Sequence, residues 1–467
     1  MNLTPRPYQT KLVDRVLEIA AQRIRARLLV VSPPGSGKSL MAAMLMRALV
    51  AEMSLRGLTW AHRRELVHQM VDHFVENGIS PEMIAVMMAR DPRRNDTAPI
   101  QCTTVDTLYR RAKPLADFII SDEAHRDGSE GRRALCGVYP DALIVGFTGS
   151  PVRLDGRMLV GPGCEYDEMI VAAYPSELIA EGWLAVPRII TVPKEYLPDL
   201  RGLRKKGRDW DQAELEDRAN RRALVGNIVE HWLEHAEGRR TIVFPVGVKH
   251  SHAIVAKFQA AGIPAAHIDA NTPHRERILN DLRSGKLLVV SSCGVLSEGT
   301  DIPPVKCVVL ARPTESLALA LQQPGRCMRP WEGVEPLILD HAGVIRRHGL
   351  PYADRPWEEM VTPDGAASES WKKGRTPSKE CPKCHTIMPA GRTACVTCAT
   401  VLLDPEPVPN EQAVKLEELS FSDGEKAAEL DRLRAFASAR GLRDGWAEKV
   451  YQAKFRRGAA EVAVGGA

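Results

Sequence analysis

A glycine-rich run and an acidic tetrad are the parts of the sequence best suited to chemistry. The run, Ser-Pro-Pro-Gly-Ser-Gly-Lys-Ser at 32–39, follows the apolar residues 28–31 and precedes a segment rich in methionine and alanine. These flanks predict a buried strand before the run and a helix from Lys38 to about Val50. A strand, a glycine-rich turn and a helix N-terminus form an anion site, because backbone N–H groups and the helix dipole both favour phosphate.

The residue types in this run indicate how a nucleoside triphosphate would bind. Glycine lets the backbone approach the phosphates, lysine reaches the β- and γ-phosphates, and serine supplies an oxygen to Mg²⁺. The expected binding set is Pro34, Gly35, Ser36, Gly37, Lys38 and Ser39. The full pattern begins with glycine or alanine, and the small Ser32 stands there instead. A glycine-rich turn without function is the alternative, and the flanking strand and helix argue against it.

The acidic tetrad, Asp122-Glu123-Ala124-His125, follows the apolar run 118–120. We expect Asp122 to contact Mg²⁺ from the end of a strand, and Glu123 to orient and deprotonate an attacking water. An exposed acidic turn would have the same composition. The order of the two phrases, each behind an apolar run, favours hydrolysis of a nucleoside triphosphate.

Polar residues at other predicted element ends suggest a base and a nucleic-acid backbone as ligands. Gln9 lies upstream of the glycine-rich run, and a glutamine amide can pair with adenine through one donor and one acceptor. Hydroxyl and guanidinium groups at strand ends suit phosphate oxygens, with helix capping as an equal alternative for the threonines. The candidates for nucleic-acid contact are Arg63, Thr103, Thr104, Thr148 and Ser150.

A second α/β unit is predicted from about residue 177. Its short apolar segments alternate with helical patterns, which predicts a parallel sheet covered on both faces. This unit lacks a glycine-rich phosphate loop, but it contains Gln-Gln-Pro-Gly-Arg-Cys-Met-Arg at 322–329. Arg326 and Arg329 are three residues apart, on one helical face. An arginine presented across a cleft can stabilise charge on a transferring γ-phosphoryl group, and a surface pair is the alternative.

Composition agrees with a large enzyme that stays in the cytosol. The chain has 467 residues, a hydrophobic fraction of 44% and a net charge of +4. That length suits roughly three domains, and that charge requires any nucleic-acid surface to come from local clusters. The sequence shows neither a membrane-spanning stretch nor an N-terminal signal pattern. Ten cysteines in such a chain are not expected to form a disulfide framework.

Together these phrases resemble superfamily 2 helicases and translocases, specifically the DEAH-type group near the type III restriction subunit and phage helicases. The resemblance covers residues 1 to about 345, and many sequence motifs occur there in the order that is typical of the family. It implies an α/β fold of two tandem RecA-like parallel-sheet domains, at 1–165 and 175–346, with ATP and Mg²⁺ between them.

The resemblance also implies roles for residues of the second domain. Arg329 and Arg326 would reach the γ-phosphate, and Gly299 and Asp301 would couple the nucleotide to the nucleic-acid site. One departure is Ser150, where relatives more often carry alanine, and it keeps a small side chain. The implied activity is ATP hydrolysis coupled to movement along nucleic acid, with DNA favoured over RNA.

Four cysteines in two C-x-x-C pairs predict a structural zinc site in the last fifth of the chain. They are Cys381, Cys384, Cys395 and Cys398. Four thiolates at this spacing can coordinate Zn²⁺ tetrahedrally. A short module with almost no hydrophobic core needs such a cross-link to be stable. A redox-active C-x-x-C would consist of one pair beside a βαβ unit. That context is absent, which favours the zinc site.

The sequence around these cysteines predicts the remaining organisation. A linker is expected at 347–378, a zinc ribbon at 379–402 and a helical tail at 410–458, with apolar faces that carry Leu416, Leu419, Leu430 and Leu433. The tail is equally suited to packing or to holding DNA or a partner.

Three alternatives compete with a DNA helicase. A restriction-type motor could move on duplex DNA without separating the strands, and an RNA helicase would use the same backbone contacts. A nucleic-acid-binding scaffold with an inactive ATPase is disfavoured, because Lys38, Asp122, Glu123 and Arg329 are all present. Replication, repair or restriction proteins are possible partners. The sequence leaves the oligomeric state open, and a monomer is compatible with it.

Overall fold

The computed structural model describes residues 4–23, 25–61, 64–89, 91–111, 113–126, 130–152, 158–161, 163–193, 197–198, 200–206, 209–219, 222–296, 302–360, 376–402, 423–439, 444–445, 447–448 and 451. The chain forms two compact units, Met1–Thr376 and Pro377–Ala467. The first unit contains two parallel sheets, and we refer to the first sheet with its helices as lobe 1 and to the second as lobe 2.

Lobe 1 is built on a seven-stranded parallel sheet with the order β3-β4-β2-β5-β6-β1-β7. The strands are β1 Arg27–Val31, β2 Gly57–Ala61, β3 Ile84–Met87, β4 Ile100–Thr104, β5 Phe118–Asp122, β6 Leu143–Thr148 and β7 Glu168–Val171. The helices are α1 Pro7–Gln22, α2 Lys38–Arg47, α3 Arg64–Glu76, α4 Val105–Arg110 and α5 Glu130–Val138. A π-helical turn, Ala48–Glu52, continues α2.

The apolar runs form the central strands because both faces of the sheet are covered. Alternate residues of β1 belong to two different hydrophobic cores. Leu28 and Val30 pack with α1 and α2 on one face of the sheet, and Leu29 and Val31 pack in the other core, which contains Leu135 of α5. A strand buried on both faces reads as a continuous apolar run, which is how 28–31 and 118–120 were interpreted. The edge strand β7 pairs with β1, so this sheet continues past residue 165, the predicted end of the first domain.

Lobe 2 has a six-stranded parallel sheet with the order β12-β13-β11-β14-β15-β8. Its strands are β8 Arg188–Thr191, β11 Thr241–Phe244, β12 Ala265–Ile268, β13 Val289–Ser292, β14 Cys307–Leu310 and β15 Leu337–Asp340, and the hairpin β9 Lys205–Lys206 with β10 Asp209–Trp210 lies outside the sheet. Its helices are α6 Pro175–Ala180, α7 Gln212–Ala219, α8 Arg222–His235, α9 Val248–Ala260, α10 Arg275–Ser284, α11 Leu317–Gln322 and α12 Val344–His348. The prediction of two tandem parallel-sheet domains is confirmed.

The chain after α12 begins as packed structure, although the sequence was interpreted as a linker from residue 347. Trp357 is buried in a cluster that includes Val152 of lobe 1 and Leu321 of α11. Ser176 donates a hydrogen bond of 2.5 Å to the Asp354 carboxylate. The composition of this stretch is polar, but one tryptophan gives it enough apolar area to pack at the junction of the two lobes. Residues 361–375 of the predicted linker lie outside the described residues.

The second unit contains the cysteine pairs and a long helix. Strands β16 Ser378–Glu380 and β17 Ile387–Pro389 form an antiparallel hairpin, and α13 spans Asp423–Ala439. Leu430 and Leu433 of α13 are buried with Ala447 and Tyr451, and Val401 packs against this cluster. Leu416 and Leu419, predicted on the same apolar faces, lie outside the described residues. Within the described ranges, no helix is long and apolar enough to cross a membrane.

Candidate active site between the two lobes

The glycine-rich run forms the predicted turn between β1 and α2. Gly35 and Gly37 adopt φ values of 87° and 81°, a left-handed conformation that favours glycine. The Ser32 backbone N–H donates to the Thr148 carbonyl at 2.9 Å, and the Ser32 and Ser36 hydroxyls are 2.6 Å apart. Ser32, the departure from the usual pattern, therefore has a structural part, because its hydroxyl braces the turn from inside.

Gln9 lies directly against this turn. Its amide nitrogen donates to the Ser36 carbonyl at 2.9 Å, and its amide oxygen accepts from the Arg6 backbone N–H at 2.9 Å. The Tyr8 hydroxyl also donates to the Ser36 carbonyl. A Cβ on Gly37 would lie 2.5 Å from the Gln9 amide nitrogen, so the contact requires glycine at that position. The geometry makes Gln9 a support of the phosphate loop, and base recognition by Gln9 stays a prediction.

Lys38, at the start of α2, turns its ammonium group toward the loop. Nζ donates to the Ser32 carbonyl at 3.2 Å and to the Pro33 carbonyl at 3.4 Å. Burial lowers the pKa of Lys38, and the nearby carboxylates of Glu123 and Asp122 oppose that shift. A desolvated cation beside two carboxylates is suited to bind the negative charge of a polyphosphate.

The acidic tetrad lies at the end of β5, across from the loop. Glu123 has a φ of 50°, unusual for a residue other than glycine, and its N–H donates to the Asp122 carboxylate at 2.9 Å. Burial, followed by the charge of Glu123, raises the pKa of Asp122. Strained backbone and a desolvated carboxylate are both typical of functional sites.

Ser39 and Asp122 border the same small cavity, of about 30 Å³. Its other lining residues are Gln69 and His73 of α3 and the apolar Ala42, Leu66, Met70, Ile120 and Phe147. Hydroxyl and carboxylate oxygens are the ligands that Mg²⁺ prefers. The donor set therefore fits the predicted magnesium site. A bound divalent cation would also favour the charged form of Asp122, which burial alone disfavours.

Lobe 2 reaches this site through α11 and the turn that follows it. The Gln322 amide nitrogen donates to the Glu123 carboxylate at 3.1 Å, while the Gln322 amide oxygen is buried with no hydrogen-bond partner in the described part of the chain. A Cβ on Gly325 would lie 2.4 Å from Cβ of Pro34. Gln322 lies in the segment 322–329, but its sequence gives no sign of a part in the site, because a contact between distant elements leaves no local pattern.

The two predicted arginines lie on the same face of lobe 2. A Cβ on Gly35 would lie 3.3 Å from Cγ of Arg329, which places this arginine beside the phosphate loop. Burial, and next the charge of Arg6, lowers the pKa of Arg329 to about 10. The charges of Arg326 and Arg329 both contribute to the lowered pKa of Lys38. The structure therefore brings three cations to one place, where anionic phosphate would relieve their repulsion.

Two buried cations that the sequence did not reveal support the site. Lys306, which immediately precedes β14 and is only 2% exposed, donates to the carbonyls of Cys327 and Arg329. Arg132 of α5, also 2% exposed, lies 3.5 Å from the carbonyls of Asp122 and Glu123. A single lysine or arginine outside any motif gives no signal in one sequence, so only the fold identifies them.

The predicted nucleic-acid residues that the structure describes are buried and internally bonded. Thr103 donates to the Met87 carbonyl at 2.8 Å, and Thr104 caps α4 by accepting the Thr107 N–H at 3.2 Å. Thr148 donates to the Ser150 carbonyl at 2.8 Å. These bonds match the capping alternative for Thr104. The other three predicted positions, Arg63, Gly299 and Asp301, lie outside the described residues.

The four clustered cysteines converge as their spacing predicted. Their sulfur atoms all lie within 4.8 Å of one another, and the Cys381–Cys398 and Cys384–Cys395 pairs are each 3.5 Å apart. Sulfurs bound tetrahedrally to zinc at about 2.3 Å would be about 3.8 Å apart, so the group fits such an ion. None of the ten cysteines, all of which lie in the described ranges, forms a disulfide.

The two cysteine pairs have equivalent backbones. Each pair is followed by a residue with positive φ, His385 at 55° and Ala399 at 56°. Cys381 N–H donates to the Thr386 carbonyl at 2.9 Å, and Cys395 N–H donates to the Thr400 carbonyl at 2.7 Å. Two matching turns that face each other are what a four-thiolate metal site requires.

Comparison with known proteins agrees with this architecture. Residues 2–153 match the family model for the type III restriction enzyme, res subunit, and residues 222–330 match the helicase conserved C-terminal domain. The chain is 30% identical over 369 residues to a 51.5 kDa protein of Lactococcus phage (isolate 7-9), covering 79% of this chain and 76% of that protein.

A second relative and a solved structure extend the comparison. The chain is 30% identical over 362 residues to the putative mitochondrial ATP-dependent helicase irc3 of Schizosaccharomyces pombe, covering 74% of this chain and 58% of that protein. A fragment of a putative HsdR subunit of a type I restriction enzyme from Vibrio vulnificus YJ016 shares the fold, with a TM-score of 0.55 and 19% identity over 73% of this chain and 64% of that chain. With two parallel-sheet lobes that meet at the candidate site and with these matches, the chain belongs to the superfamily 2 helicases, the ATP-dependent helicases and translocases of nucleic acid.

Proposed function

We propose that this protein is a nucleic-acid-stimulated ATPase that moves along DNA and separates its strands. The observation that carries the proposal is the contact between lobes at the site: Gln322 of lobe 2 bonds the Glu123 carboxylate, and Gly325 packs on Pro34 of the phosphate loop. Because the catalytic carboxylate and the phosphate loop both contact lobe 2, any change in ATP occupancy is expected to alter how the lobes close.

Each residue of the site has a chemical part in this proposal. Lys38 binds the β- and γ-phosphates, and Ser39 and Asp122 hold Mg²⁺, which neutralises phosphate charge when it is bound. Glu123 orients the attacking water and accepts its proton. Arg329 and Arg326 stabilise the charge that develops on the γ-phosphoryl group.

Gln322 is the residue best placed to link the water to lobe 2. Its nitrogen holds the Glu123 carboxylate, and its buried oxygen is available to accept a hydrogen bond from the same water. A closed interface would thus fix the base and the nucleophile together, which is the positioning that phosphoryl transfer requires.

Lobe closure is expected to act on a backbone track at the carboxyl ends of the lobe 1 strands. The candidate positions there are Arg63, Thr103, Thr104, Thr148 and Ser150, with Gly299 and Asp301 on lobe 2. The buried threonines support this track through backbone groups and turn geometry, since their hydroxyls are already bonded. Backbone contacts imply little sequence preference and strong dependence on salt.

DNA is favoured as the substrate because lobe 1 matches a restriction-enzyme family. The alternatives are a motor that moves on duplex DNA without strand separation and an RNA helicase. Steady-state ATP turnover should be compared in the presence of single-stranded DNA, duplex DNA, forked DNA and RNA, with Glu123→Gln as the inactive control. Turnover that is unchanged by every nucleic acid would contradict the proposal.

Strand separation needs its own measurement. Displacement of a labelled strand from forked and blunt duplexes, followed in parallel with ATP turnover, distinguishes unwinding from translocation. We expect displacement from forks. ATP turnover on duplex DNA without any displacement would favour the duplex-translocase alternative instead.

The cysteine group in the second unit is proposed to hold one structural Zn²⁺. The support is the mutual distance of the four sulfurs and the two matching turns that present them. Four thiolates leave no open coordination position, so the ion would stabilise the fold of the ribbon and take no part in catalysis.

A further inference from the structure

A basic cleft lies on lobe 1 beside the edge strand β3, away from the ATP site. It has a volume of about 440 Å³, and Arg94, Arg111, Lys113, Gln101 and Asp96 line it together with apolar surface from Met87. Met87, at the carboxyl end of β3, pairs with Thr103 and so lies beside the strand-end track. Gln101 is the second residue of β4, about 10 Å along the strand from Thr104, near its amino end. The cleft therefore runs along the sheet edge away from the track and does not include the track residues.

Positive side chains outnumber negative ones in the lining of the cleft. Arg94 pairs with Asp96, whose carboxylate oxygen is 3.3 Å from its guanidinium nitrogen. Arg111 and Lys113 form no ion pair with a carboxylate within the described ranges. The Lys113 ammonium instead caps α4 by donating to the carbonyls of Tyr109 and Arg111. Three cations and one carboxylate leave a net positive cleft, which attracts an anionic ligand.

The loop that carries Arg94 is held in place by buried polar contacts. The Asp91 side chain is only 3% exposed, and it accepts hydrogen bonds from the Arg93 guanidinium at 3.0 and 3.1 Å. The Gln101 amide donates to the carbonyls of Asn95 and Ala98, both at 2.9 Å. A cleft with fixed walls loses little conformational entropy when it binds a ligand.

An exposed aromatic residue lies at the helix end that carries part of the cationic lining, because the Tyr109 carbonyl accepts a hydrogen bond from the Lys113 ammonium. Tyr109, in the last turn of α4 and two residues before Arg111, is 57% exposed. An exposed ring beside a row of cations is the combination on which single-stranded nucleic acids bind, because bases stack on rings and phosphates contact cations. An acidic protein would use the cations but would not need an open ring face.

We propose that this cleft binds the sugar-phosphate backbone of a nucleic-acid strand beyond the strand-end track, with a base stacked on Tyr109. The inference rests on the proposed function, because it assigns where the strand continues after it leaves the track. Arg94 and Arg111 contact two phosphates. The cleft holds the strand on lobe 1 while lobe 2 moves, so it increases affinity without taking part in ATP hydrolysis.

The phosphate contacts are tested by the salt dependence of binding. The dissociation constant for a fluorescent single-stranded oligonucleotide is measured against KCl concentration for the wild type and for Arg94→Gln with Arg111→Gln. Each lost phosphate contact lowers the slope of log Kd against log salt by about 0.7, so the double variant should lose about 1.4. The matched control is Arg15→Gln with Lys257→Gln. It removes one arginine that pairs with a carboxylate, as Arg94 does, and one exposed lysine elsewhere on the surface. The slope of the control variant should equal the wild-type slope.

The stacking contact has a separate readout. Tyr109→Ala should raise Kd roughly five- to hundredfold with no change of slope, and Tyr109→Phe should bind nearly as tightly as the wild type. ATP turnover without nucleic acid should stay at the wild-type value in all variants.

The outcomes distinguish this inference from the proposed function. Wild-type turnover that nucleic acid does not stimulate would contradict the proposed function. Stimulated turnover with slopes and affinities equal to those of the control variants would overturn the cleft assignment alone. Normal oligonucleotide binding together with lost binding of polyglutamate by the arginine variants would also overturn it, in favour of an acidic protein partner.

Discussion

Substitution of Gly325 by alanine is the sharpest perturbation of the contact between lobes. An added Cβ would lie 2.4 Å from Cβ of Pro34, whereas carbon atoms pack at about 3.5–4.0 Å. The phosphate loop is braced by its internal hydrogen bonds, so lobe 2 must retreat by about 1–1.5 Å. Gly325 does not have a positive φ, so the substitution tests space alone and not backbone strain.

The expected effect of this retreat is on the chemical step. Displacement of catalytic groups by about 1 Å can lower turnover about 100-fold, which corresponds to about 2.7 kcal/mol in the activation barrier. Gly325→Ala should therefore reduce kcat for nucleic-acid-stimulated ATP hydrolysis by about that factor. ATP should still bind to the loop of lobe 1, so its Kd should change much less than kcat.

Gly149→Ala provides a matched control for this experiment. Its Cβ would also face the Pro34 ring, but at 3.8 Å, an ordinary contact. Steady-state turnover, ATP binding and thermal unfolding should be measured for both variants. Turnover of Gly325→Ala within about twofold of Gly149→Ala, in two folded proteins, would refute the reasoning that the lobes close tightly at this point.

Three further predictions concern residues that support the fold or the site. Lys306→Met should lower kcat about tenfold with little change in KM for ATP, because one charge-assisted hydrogen bond to the Arg329 carbonyl is lost, and Lys306→Arg should recover part of the activity. The purified chain should contain about one zinc ion by elemental analysis, and Cys384→Ser should lose it and lower the unfolding temperature of the second unit. Arg93 hydrogen bonds hold the pKa of Asp91 down to about 2, so Asp91→Asn should destabilise the protein by about 1–2 kcal/mol at neutral pH. Because the folded-state pKa is depressed, that difference should persist above about pH 4 and vanish as the pH falls toward 2 in urea unfolding, and a constant difference would exclude the ion pair as its cause.

Local patterns in the sequence indicated the elements that form one half of the candidate site. The phosphate loop and the acidic tetrad each depend on neighbours in the chain: a buried strand, a special backbone turn and the next helix. The same reasoning identified Arg326 and Arg329 through their spacing and the family resemblance. The cysteines converged because a C-x-x-C turn presents both sulfurs on one side, a property of a few adjacent residues.

Contacts between distant elements could not be predicted in this way. Gln322 reaches Glu123 across 199 positions, and Lys306 reaches the arginine turn from another strand. Trp357 packs at the junction of the lobes from a stretch whose polar composition indicated a linker. The Thr103 hydroxyl donates to Met87 of the neighbouring strand, and the Thr148 hydroxyl donates to Ser150 in its own turn. Contact of these positions with nucleic acid stays a prediction.

We expect lobe 2 to complete an ATP site whose nucleotide-binding half lies on lobe 1. ATP hydrolysis by Arg329→Ala with saturating nucleic acid, measured together with equilibrium binding of ATP, tests this directly. We predict that ATP affinity changes only a few-fold, while turnover falls by about 10³-fold or more. Turnover close to the wild-type value would contradict the account, because the arginine that faces the phosphate loop would then have no part in the reaction.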